Sequence, residues 1–94
     1  MEEEKSFKDL VKNLFKSYRL GDKYDEIGVI NSWEQIAGRM IAQKTTKIFI
    51  QNKILYLTLS SAPLKAELRY HKLVLIEKVN KFAGKELIKD INFY

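Results

Sequence analysis

Cysteine is absent from the chain, and histidine occurs once, at His71. The first absence removes disulfides, thiolate metal sites and a cysteine nucleophile. The second removes any multi-histidine metal site and weighs against a catalytic triad. One proline and four glycines supply no glycine-rich phosphate loop. Long apolar runs are missing too. None approaches the roughly 18 residues a membrane helix needs. The start, Met1 to Lys5 with Glu2, Glu3 and Glu4, lacks the apolar region of a signal peptide. No membrane association is expected, no metal and no cofactor, and the expected compartment is the cytoplasm.

What is present is enough apolar material for one small core. Hydrophobic residues make up 46% of the 94 residues, which suits a single domain over 1–94 and argues against a disordered tail. The net charge of +5 is uneven. Residues 44–94 carry +6, and residues 1–43 carry −1. Basic excess concentrated in the second half points to a polyanionic partner; a lysine-rich solvated surface is the plain alternative.

Residues 6–19 read as an amphipathic helix, with Phe7, Leu10, Val11, Leu14, Phe15 and Tyr18 on one stripe, Ser6 as cap and Gly21 as stop. A second helix is expected over 22–43, through Ile27, Ile30, Trp33, Ile36 or Ala37, and Met40 or Ile41, although Gly28 and Gly38 lie inside it. The period then becomes two. Strands are expected over 45–51 and 54–60, joined by a tight turn at Gln51-Asn52-Lys53. Ile48, Ile50, Leu55, Leu57 and Leu59 share one face; Lys47, Phe49, Tyr56 and Thr58 share the other. The outward Phe49 and Tyr56 read first as a cross-strand pair, and second as a stacking platform. Ser60-Ser61-Ala62-Pro63 starts a long helix over 62–83, with Leu64, Leu68, His71, Leu75, Val79 and Phe82 or Ala83 on its buried stripe. A last strand is expected over 87–93. The order α-α-β-β-α-β gives an α+β fold, a small three-stranded sheet packed by helices on one face.

Catalysis finds little support. The carboxylates are scattered, and none sits paired within an apolar run that would raise its pKa. His71, on or beside an apolar stripe, reads as a packed histidine. The basic residues are more coherent. Lys65, Arg69 and Lys72 are spaced i, i+4, i+7 on the long helix, and Lys44, Lys47 and Lys53 belong to the hairpin. Brought to one side, they form a groove that tracks phosphates. No motif for reading bases is present, and no GxxG loop for clamping RNA.

From Trp33 the pattern becomes specific. Trp33-Glu34-Gln35-Ile36-Ala37-Gly38, Ala42, Thr45, the run Leu55 to Ser61, Glu67-Leu68-Arg69, Asn80, Ile88, Ile91 and Phe93 together resemble the DciA family over nearly the whole chain. The resemblance implies a KH-like domain, formerly of unknown function, whose long helix bends or breaks. It implies a role in bacterial replication initiation, as an operator or loader of the replicative DnaB-type helicase that binds DNA near the nucleoid. Trp33, Gly38, Thr45 and Leu68 are signature positions, and Trp33 and Gly38 read as packing positions. Two departures stand out: Lys44 where many members have histidine, and Ala62-Pro63 where an aromatic is common. Many members also carry a flexible extension that contacts the helicase. With Tyr94 last in this chain, the expectation is that either the folded domain makes that contact or the loading role is reduced.

The leading expectation is a non-enzymatic adaptor that holds single-stranded or junction DNA while another face docks on the helicase. A protein-interaction module without nucleic-acid binding, and an RNA-binding KH-like protein, are the alternatives.

Overall fold

The computed structural model describes residues 20–94. The helix expected over 6–19 lies outside the described residues. Three helical pieces come first: α1 (Leu20–Asn31), α2 (Trp33–Ala37) and α3 (Arg39–Lys44). A hairpin of β1 (Thr45–Gln51) and β2 (Ile54–Leu59) follows, then α4 (Ala62–Tyr70), α5 (Lys72–Ala83) and β3 (Asp90–Phe93).

The sheet is mixed, in the order β1-β2-β3. β1 and β2 run antiparallel, and β2 and β3 run parallel. Two strands that run parallel need a long connection, and α4 and α5 provide it. The hairpin turn holds Asn52 and Lys53 at φ 52° and 63°. Positive φ at both central residues is the turn geometry whose twist suits paired strands. Near its start β1 bulges, where Thr45 opposes Leu59 but Lys47 opposes Thr58.

The core lies between the helices and one face of the sheet. Val29 and Trp33 meet Leu64, Leu68, Leu75 and Val79 there, against Ile50, Leu55, Leu57, Leu59, Ile91 and Phe93. Each wholly buried leucine adds about 1.5–3 kcal/mol. This is the α+β arrangement, helices with a small three-stranded sheet, that the residue pattern leads one to expect.

Three expected elements are cut differently. The helix over 22–43 is three pieces, interrupted at Ser32 and Gly38. Gly38 has φ 97° and ψ 158°, a conformation outside any helix and open almost only to glycine. The helix over 62–83 breaks at His71, which ends α4 and precedes α5 with φ −107° and ψ 22°. His71 is therefore exposed at a junction and is not on a buried stripe. Phe82 likewise stands 43% exposed, while its neighbour Ala83 packs on the core. The last strand begins at Asp90; Leu87 and Ile88, buried at 2% and 0%, precede it, with their N–H groups bonded to the Asn80 side chain. Among the described residues no helix is long and apolar enough to cross a membrane.

Candidate nucleic-acid interface

Trp33, Gly38, Thr45 and Leu68 belong to the scaffold. The Trp33 indole N–H donates to Thr45 Oγ1 at 3.1 Å, and that hydroxyl donates to the Ile41 carbonyl at 2.7 Å. A buried indole needs such a partner. The relay ties α2 and the end of α3 to the first residue of β1. Gly38 makes the corner between α2 and α3 that allows it, and Leu68 seats α4 in the core.

Asn80 organises the approach to β3, a role that its sequence position alone did not reveal. Its Oδ1 accepts from the N–H groups of Leu87 and Ile88, each at 3.0 Å, and its Nδ2 donates to the Ile88 carbonyl at 2.9 Å. Gly84, at φ 74°, ends α5 one turn earlier with its N–H on the Asn80 carbonyl. Lys85 then reaches back to α1, bonding Asp22 at 2.7 Å and Asp25 at 2.6 Å.

The six basic residues expected to bind nucleic acid lie on α3, the hairpin, α4 and α5. Arg69 and Lys72 do come together, across the break at His71. They line an open cleft of about 560 Å³ with Ile91, Asn92, Phe93 and Tyr94, along the free edge of β3. Lys72 bonds Asp90 there at 2.8 Å. Lys65 lies one turn before Arg69 on α4 and is half-buried. Lys47 is on the sheet's open face, with its ammonium 5.4 Å from the centre of the Phe49 ring. Lys53 is at the hairpin turn, with Nζ 3.5 Å from the Glu86 carbonyl. Lys44 ends α3, where its carbonyl accepts from the backbone N–H of Ser60 at 2.8 Å.

The face of the sheet turned away from the core carries a row of three rings. Phe49 on β1 stacks on Tyr56 of β2, with centroids 4.6 Å apart and planes 6° from parallel. Tyr56 faces Tyr94 at 6.3 Å and 13°. Tyr94 continues β3 by one residue. Its N–H donates to the Leu57 carbonyl at 2.7 Å, and its carbonyl accepts from Leu59 N–H at 2.8 Å. The row therefore crosses all three strands and ends at Tyr94, which is 56% exposed and borders the Arg69–Lys72 cleft.

Charge at the edge is partly balanced. The Lys72 ammonium, followed by the Ile91 N–H, holds the Asp90 carboxyl below the usual carboxylate range. Lys85 lowers Asp22 in the same way, and its own pKa is raised by Asp22 and Asp25. Glu26 is raised by burial, against the pull of Lys23. Arg69 and Lys47 have no carboxylate within ion-pair distance among the described residues.

The family model described as "Dna[CI] antecedent, DciA" matches residues 6–93. No curated protein and no solved structure matches the chain.

Proposed function

The chain belongs to the DciA family, whose general role is that of a loader for the replicative DnaB-type helicase, and on that premise we propose that this domain is a DNA-binding adaptor in replication initiation. It is a binding module rather than an enzyme. It interacts with the helicase through one surface and with single-stranded or junction DNA through another. The DNA surface centres on the β3 edge, where Arg69 and Lys72 share a cleft with Tyr94. Lys65 and Lys47 extend it at either side, while Lys44 and Lys53 add charge at the periphery.

The meeting of Arg69 and Lys72 beside the edge strand is the observation that carries this reading. A cation in contact with a phosphate displaces a counterion, so each such contact steepens the salt dependence of binding. Arg69→Gln with Lys72→Gln is expected to lower the slope of log affinity against log salt for single-stranded DNA by roughly 0.7, the share of Arg69 while Asp90 holds Lys72, and by up to roughly 1.4 where phosphate displaces that carboxylate. Fluorescence anisotropy over a salt series measures it, with thermal unfolding as a control for folding. An unchanged slope rejects the cleft as the DNA surface.

A second reading, a module that binds protein alone, is favoured by the apolar side chains around the α4–α5 junction. Tyr70 is 90% exposed and Leu73 77% exposed. Capture of the purified helicase by a chain that binds no DNA at low salt would select it.

A further inference from the structure

We propose that the Phe49–Tyr56–Tyr94 row is a stacking site for an unpaired DNA base, which adds to the row at the outer face of Tyr94. The inference rests on the DNA-binding reading and names what the same surface recognises: a nucleobase freed from pairing, in addition to phosphate.

Three observations carry it. The rings are already parallel, at 6° and 13°, so they present a built stack rather than scattered aromatics. Phe49 and Tyr56 cover one another at 4.6 Å, which leaves no room for a base between them. Tyr94 is different. Among the described residues it is the last ring, engaged by Tyr56 on one side only, and more than half of it is exposed. Charge complementarity selects the occupant. Arg69 and Lys72 line the cleft that Tyr94 borders, and Lys47 sits against the opposite end of the row at Phe49. A base on Tyr94 sets its own phosphate beside Arg69. A polynucleotide supplies both the flat apolar ring and the negative charge one bond network away, as single-strand binding surfaces require. An apolar protein segment would answer the rings and leave the cations unanswered.

Stacking on a side chain requires the base to leave a duplex, which costs least in a strand already single. The site therefore favours single-stranded DNA over duplex. Phosphate contacts alone would not, since duplex carries the denser charge.

The test compares a twelve-residue thymidine strand with an abasic strand of the same length and the same phosphates. The full chain is expected to bind the abasic strand about tenfold more weakly, the scale set by loss of one base–aromatic stack. Tyr94→Leu is expected to bring the thymidine strand down to the abasic level without altering the salt slope. Tyr94→Phe is expected to keep the difference, since the ring face remains. Equal affinity for the two strands, with the salt slope intact, overturns the stacking site and leaves the phosphate reading standing. A Tyr94→Leu chain that still distinguishes the strands also overturns it. Failure of the unaltered chain to bind either strand overturns both readings.

Discussion

In β2, Leu55, Leu57 and Leu59 point into the helices and are 0%, 0% and 9% exposed, while Tyr56 and Thr58 between them stand half-buried on the opposite side. Neighbouring residues of one strand thus meet two environments. The inner set is closed over by α1, α2, α4 and α5 and makes the fold. The outer set is aromatic and cationic, and among the described residues no buried cluster covers it. Val, Ile, Leu and aromatic residues favour strands on either face, so strand propensity does not distinguish the two sides. What distinguishes them is whether a side chain has a partner in the core. Among the described residues that face is apolar enough to stack and is left open.

The largest effect that tests this contrast is on stability. Leu57→Ala removes a wholly buried side chain and is expected to cost about 2–5 kcal/mol. Tyr56→Leu, one residue away on the other face, keeps the strand and loses ring stacking. It is expected to cost about 0.5–1.5 kcal/mol. Urea unfolding of both variants measures the difference. Equal costs would mean that the open face also carries the fold, and would remove the ground for treating it as a ligand surface.

A smaller effect concerns the corner that closes the inner face. Gly38→Ala meets no atom within 4 Å of the added Cβ, so crowding contributes nothing. The cost is that of holding alanine at φ 97°, about 1–3 kcal/mol. Since Gly38 lies between α2 and α3 and belongs to neither the ring row nor the Arg69–Lys72 cleft, the variant is expected to unfold at lower urea with an unaltered DNA salt slope. A changed slope would couple the two faces.

Much of the inner face was legible from residue order alone. The hairpin showed in its alternation, and Ile50, Leu55, Leu57 and Leu59 fell on one side because a strand has a period of two. The breaks were not legible, for a physical reason. Leu64, Leu68, Leu75 and Val79 keep helical spacing straight through His71, since the seven residues from Leu68 to Leu75 make close to two turns. An apolar stripe that stays in phase conceals the break. Leu87 and Ile88 looked like strand because they are apolar, but the Asn80 side chain holds both N–H groups that a ladder would use. The outer site was half legible. Phe49 and Tyr56 could be paired from hairpin register, whereas Tyr94 joins them only through the parallel register of β2 and β3, which residue order does not set. Arg69 and Lys72 were sought on one helix face. They converge instead across a helix break and against a strand edge.

The smallest effect lies on the boundary between the faces, at the Lys72–Asp90 pair. Asp90 is held below the ordinary carboxylate range, first by the Lys72 ammonium and then by the Ile91 N–H. A lowered folded-state pKa stabilises the fold above about pH 4, and that contribution is lost as pH falls through the folded value. With Lys72 and Asp90 side chains 37% and 46% exposed, solvent screening limits it to a fraction of about 1 kcal/mol. Asp90→Asn imposes the neutral state at all pH values. The melting temperature at pH 7 is expected to fall by about 2 °C or less, and that difference to shrink as pH drops below about 4 and to vanish below the lowered folded-state value, where Asp90 itself is protonated. DNA binding is expected to move the opposite way. With the carboxylate gone, Lys72 is released to a phosphate, and the salt slope steepens by up to roughly 0.7. Stability and affinity would then change with opposite signs at one residue, as the edge of a closed face and an open one requires. A variant that loses both together would assign the pair to the fold alone and leave Arg69 to hold the phosphate without it.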